Sequence, residues 1–194
     1  GHGVQYELIG TQGEQGLGGG NSGVLATFLS DHPQVCFGFW SNCNQYLRTC
    51  DNNLAYPGAV IGQEVHNAGR VICGFNWDTR RNLIEKMSAE EAKQHTARLW
   101  HYSRKLFGSW GWTQPDQVFY YFVMDDDDSD LSNGTPNYLE ICEAASKHGF
   151  ACPPITNYVR VTSEAIDDQS QMTGSYPVTC VAQAVGGGSI DPDQ

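Results

Sequence analysis

The sequence has no apolar run approaching the roughly 20 residues that a membrane-spanning helix requires, so no such span is expected. It is also short of positive charge. Lys and Arg number 11 against 22 Asp and Glu, a formal net charge of -11, and a nucleic-acid partner is therefore not expected. None of the seven cysteines, at 36, 43, 50, 73, 142, 152 and 180, forms the C-x-x-C spacing of a zinc ribbon or redox motif, which argues for disulfides in an oxidising compartment. Cys142 and Cys152 are the expected pair by proximity, and the group Cys36, Cys43, Cys50 and Cys73 is expected to supply two more. The odd count leaves one thiol free or paired outside this chain. A signal peptide is likewise missing, so an export signal is expected to have been removed or to lie upstream of a secreted, extracellular product.

What is present is enough for one domain. The chain has 194 residues, 40% of them hydrophobic and 17% charged, with 22 Gly and 11% aromatics, a composition that suits an ordered rather than a disordered chain. Residues 64–81 read EVHNAGRVICGFNWDTRR, and Val65, Ala68, Ile72 and Phe75 recur three or four apart, the spacing of one buried helix face. His66 stands beside that stripe in the first turn. It is either a hydrogen-bonded core histidine or an imidazole aimed into a cleft.

Elsewhere the pattern is mainly helical. Asn21 or Ser22 is placed to cap a helix through Leu29, and Ser88 with Glu91 forms a capping box for a helix that Gly108 ends. Residues 31–56 form a long Cys-rich loop, either a disulfide-stapled surface loop or a cleft wall presenting Phe37, Phe39, Trp40 and Tyr46. His95 and His101 lie on different helix faces, which argues against a shared metal. Residues 117–124 fit a strand or the start of a helix. Five carboxylates follow within six residues, a solvated acidic loop or a calcium site built from Asp125, Asp127 and Asp130; the Gly and terminal Glu of an EF-hand are lacking. Asn133-Gly-Thr is a glycosylation acceptor in form, and Thr135 and Pro136 start a helix running to Gly149. From Pro153 the chain reads as strands and linker with a glycine-rich tail, dividing it into a helical domain, 1–153, and an extended segment, 154–194.

The V-H-N-A-G segment followed by an apolar run and NWDTR resembles a helix of the gluzincin zinc metallopeptidases of the fungalysin and thermolysin kind. The opening HGVQYELIG, the glycine-rich QGLGGGNSG and the later NGTP, HG and CP elements follow in the order of that family over residues 2–153. The resemblance implies the helical C-terminal lobe of a gluzincin, with His66 stabilising the oxyanion of a zinc-bound reaction and His2 standing at a zinc-ligand position. It also implies that the first zinc His and the general-base Glu would precede Gly1. At two further positions the chain departs from the pattern: Gly19 stands where the zinc-binding Glu belongs, and Gly23 where an Asp would orient a zinc His.

Hydrolysis by zinc needs about three protein ligands, an open position and a base. The expectation is therefore a secreted, peptidase-like domain that has lost peptide hydrolysis and binds a peptide or protein ligand or serves structure, with zinc not retained. Two alternatives remain at the level of sequence. One is a processed piece of an active enzyme whose third ligand is Glu14 or Glu64. The other is an extracellular scaffold or fibre subunit that self-associates.

Overall fold

The computed structural model describes residues 2–14, 16–39, 44–106, 112–163 and 180–186; Trp40, Cys43 and the tail beyond residue 186 lie outside them. The architecture is mainly helical. The elements run α1 (His2–Ile9), α2 (Leu17–Ser30), β1 (Gln34–Val35), β2 (Arg48–Thr49), α3 (Val65–Leu83), α4 (Ala89–Ser103), α5 (Gln114–Asp125), α6 (Tyr138–Lys147), β3 (Tyr158–Ser163) and β4 (Cys180–Val185).

Helix α3 is the spine, packed by α2, α4 and α6. Its predicted stripe of Ala68, Ile72 and Phe75 is fully buried and continues to Thr79, and Cys73 and Asp78 are buried from other faces, because neighbours cover the helix on several sides. Val65 departs from the expectation. It is 47% exposed, since the first turn of α3 projects to the edge of a cleft instead of into the core. Glu64 caps this turn by accepting from His66 N at 3.1 Å and Asn67 N at 3.2 Å, which satisfies two of the otherwise orphaned amides.

The glycine-rich stretch is helical and precedes the residues expected to cap the helix. Gly18, Gly19 and Gly20 lie within α2, which starts at Leu17 and not at Asn21. The glycines are tolerated there because they let two helix backbones touch. A Cβ on Gly20 would stand 2.5 Å from Gly69 O, and one on Gly69 would stand 2.5 Å from Gly20 N. Asn21 is consequently a core residue and not a cap. Its amide donates to Gln5 Oε1 at 3.1 Å and Gln117 Oε1 at 2.8 Å, and its Oδ1 accepts from Trp100 Nε1 at 2.8 Å, tying α1, α2, α4 and α5 together.

The capping box of Ser88 and Glu91 opens α4 as expected. Residues 117–124 belong to a helix, α5, started by a second capping box between Thr113 and Asp116 with Pro115 in the first turn. Burial explains the ambiguity in its sequence: Tyr121 and Phe122 are both enclosed, and Tyr121 meets Phe75 edge-on with ring centres 4.9 Å apart.

Two disulfides are formed among the described residues, Cys142 with Cys152 as expected and Cys50 with Cys73 as one of the two pairs expected from the larger cysteine group. Cys36 and Cys180 are free thiols. The long loop contains the short antiparallel pair β1–β2, and the chain beyond Pro153 forms the antiparallel hairpin β3–β4, which pairs Tyr158 with Val185 and Ser163 with Cys180. None of the helices among the described residues is long and apolar enough to cross a membrane.

Candidate ligand cleft

The close approach of α2 to α3 leaves a cleft of about 320 Å³, bounded by α1, α2, α3 and the β1–β2 segment. His2, Gly19, Gly23 and His66, widely separated in sequence, all line it. His2 is anchored by Gln12, whose Oε1 lies 3.0 Å from His2 Nδ1 and whose amide donates to His2 O at 3.2 Å. His66 is half exposed, and its Nδ1 lies 2.5 Å from Glu64 Oε1. The His66 amide, and then its ring, hold the Glu64 carboxyl below the usual carboxylate range.

The two glycines differ in what surrounds them. A Cβ on Gly19 would meet only ordinary contacts, Val65 O at 3.6 Å and His2 Cε1 at 4.0 Å, so a side chain there would reach toward His2 without a clash. A Cβ on Gly23 would stand 3.0 Å from Cys73 Sγ. The Cys50–Cys73 disulfide thus lies against the place where the resemblance puts an orienting Asp.

The donor set does not fit zinc. Among the described residues, the group of three or more His, Cys, Asp or Glu donor atoms lying within 4.8 Å of one another is Asp126, Asp127 and Asp128, on the far acidic loop. Neither alternative third ligand joins His2 in such a group. Glu14 is committed to Gln114 N at 2.8 Å and to the Tyr56 hydroxyl at 3.4 Å, and Glu64 is committed to the cap of α3.

The expected calcium trio of Asp125, Asp127 and Asp130 is not the set that the fold brings together. Asp125 ends α5 and turns inward, where it accepts from Thr135 Oγ1 and from Asn137 N and Nδ2, each at 2.7 Å, and meets His95 Nε2 at 3.0 Å. Burial raises its pKa, but the hydrogen bonds from His95, Asn137 and Thr135 outweigh burial and hold it below the usual range. Asp130 turns to Ser132, accepting from its amide at 2.9 Å and its hydroxyl at 2.6 Å. Asn133 donates to Asp128 at 2.6 Å, which engages the side chain of the glycosylation triplet.

Sequence reasoning gave no role to Arg48 and Arg70, which line the same cleft. Among the described residues neither has a carboxylate within ion-pair distance, and the buried Nε of Arg70 has no acceptor. No Asp or Glu lines this cleft, although the chain carries 22. The signal was the acidity of the whole, against which a pocket of arginines stands out only after folding. Comparison with protein-family models, curated proteins and solved structures finds no match to this chain.

Proposed function

We propose that this chain is a secreted, peptidase-like binding module in which zinc-dependent peptide hydrolysis has been lost and the cleft is kept for a ligand. The observation that carries the reading is the meeting of His2, Gly19 and His66 in one cleft, with glycine at a position whose Cβ would stand 4.0 Å from His2 Cε1. A hydrogen atom at Gly19 donates nothing to a metal, so the cleft retains shape and hydrogen-bonding groups without the donor set that activates water. The disulfides Cys50–Cys73 and Cys142–Cys152 support an oxidising location.

The test is to add one carboxylate. In equilibrium dialysis the unaltered chain is expected to hold no stoichiometric zinc and to leave casein intact, while Gly19→Glu, placing a carboxylate beside His2, binds zinc at least about ten-fold more tightly. Stoichiometric zinc in the unaltered chain, with casein cleavage that His66→Ala abolishes, would show that hydrolysis was never lost.

A further inference from the structure

The charge of the cleft runs against that of the chain. Acidic residues outnumber basic ones two to one, 22 to 11, yet among the described residues the cleft is lined by two arginines and two histidines and by no carboxylate, Glu64 standing behind His66. Several of the other described cations are neutralised, while Arg98 and Lys105 are exposed to solvent and Arg104 is bonded to Trp100 and Gln5. Arg80 pairs with Asp31, Arg81 with Asp78 and Asp51, Lys86 with Glu140, and Lys147 with Asp78. Arg48 and Arg70, by contrast, are both partly buried and unpaired, so each has given up part of its hydration without gaining an anion.

A group that supplies the missing charge would recover that cost. Guanidinium groups match carboxylates with paired N–H donors, and the match strengthens where walls exclude water. A polyanion such as nucleic acid would meet the repulsion of a net charge of -11 outside the cleft, whereas a single carboxylate on an otherwise neutral chain would not. The rim adds an apolar component. Phe37 and Phe39, 54% and 61% exposed, extend from the β1–β2 segment directly after Val35 and Cys36, which line the cleft. Exposed aromatics beside a small cationic cleft suit flanking peptide side chains.

We infer that the ligand of this cleft is a peptide segment bearing a carboxylate, seated against Arg48 and Arg70. The inference rests on reading the cleft as a binding site. The carboxylate is an Asp or Glu side chain or a chain terminus, and both present the same chemistry to the guanidinium groups. His66, one turn before Arg70 on the same face of α3, and His2 on α1 serve as hydrogen-bonding groups for the peptide backbone.

Selection of short random peptides on the intact protein, displayed once with free and once with blocked C-termini, tests this. Enrichment of Asp and Glu in the blocked set, or of any sequence with a free terminus in the other, supports it and distinguishes the two sources. The selected peptides are then expected to lose about ten-fold in affinity on Glu→Gln exchange or amidation, and about as much on Arg48→Gln or Arg70→Gln, with partial recovery in the Lys variants and weakening as salt rises. Circular dichroism and the thermal midpoint confirm that each variant is folded. Enrichment of neutral or basic peptides, or affinities that neither arginine changes, overturns the carboxylate assignment while leaving the cleft a binding site. No enrichment in either format removes the binding reading itself and this inference with it.

Discussion

Gly69→Ala is expected to lower the stability of the protein by about 3 kcal/mol, near the upper end of the usual cost of overpacking. A Cβ at this position would stand 2.5 Å from Gly20 N, 2.6 Å from Gly16 O and 2.9 Å from Gly20 Cα, so the obstruction is backbone on every side and cannot be relieved by a rotamer change. The helices must separate. For a chain of this size the thermal midpoint should fall on the order of 10 °C. Because α2 and α3 also form two walls of the cleft, the same substitution should weaken peptide binding. Gly3→Ala is the internal control: it lies in α1 with nothing within 4 Å of the added atom, and alanine is favoured over glycine in a helix by about 1 kcal/mol. Equal urea midpoints for Gly69→Ala and the unaltered chain would show that the two helices do not meet through their backbones.

The second large effect is expected at Asp78, a residue of α3 with its side chain in the interior. Its carboxylate gathers His148 Nε2 at 2.9 Å, Lys147 Nζ at 2.5 Å and Arg81 Nη2 at 2.8 Å, while His148 Nδ1 lies 2.7 Å from Leu54 O. This cluster fastens the C-terminal end of α6 to the spine and to the segment before α3. Asp78→Ala leaves the buried His148 imidazole without its partner, while Lys147 reaches water and Arg81 keeps Asp51, and should cost about 3 kcal/mol, the lower end for a broken buried pair. Burial alone would raise the pKa of Asp78, but the hydrogen bonds from His148 and Lys147 and the charge of Arg81 prevail and set it below its ordinary value. A folded pKa below the unfolded one, about 3.9, contributes stability above that value and loses it as pH falls through the folded pKa. Asp125 is depressed in the same direction and acts in the same window. Urea titrations from neutral pH down to about 2 should therefore show a steep loss below about 4 that is smaller in Asp78→Asn. A stability profile in acid unchanged by that substitution would rule out the linkage.

The sequence carried the helices better than it carried their surroundings. The stripe on α3 and the capping box of α4 were legible because three- and four-residue spacing and Ser-x-x-Glu are local signals. Cys142–Cys152 was legible because the two residues are near in the chain. The glycine-rich start of α2 was not, because its glycines answer to a contact with Gly69 some fifty residues away, and isolated glycines read locally as a turn. Asn21 read as a helix cap and Gln5 and Gln117 drew no reading of their own for the same reason, since a buried polar network satisfies itself across elements that periodicity treats one at a time. In the acidic loop, counting carboxylates could not separate Asp125, turned inward by Thr135 and Asn137, from Asp126, Asp127 and Asp128, which cluster. At the cleft, sequence resemblance singled out His2, Gly19 and His66 but passed over Arg48 and Arg70, whose meaning depends on which charges stay away from them.

The bond between Cys50 and Cys73 joins the segment just after Arg48 to the middle of α3, and both of its cysteines line the cleft. Beside it Asn52 Nδ2 donates to Arg70 O at 3.1 Å, so a covalent tie and a polar one hold the wall bearing Arg48 to the same helix. Reduction of the disulfide alone is therefore expected to loosen the segment bearing Arg48 from α3 and so to widen the space between the two arginines.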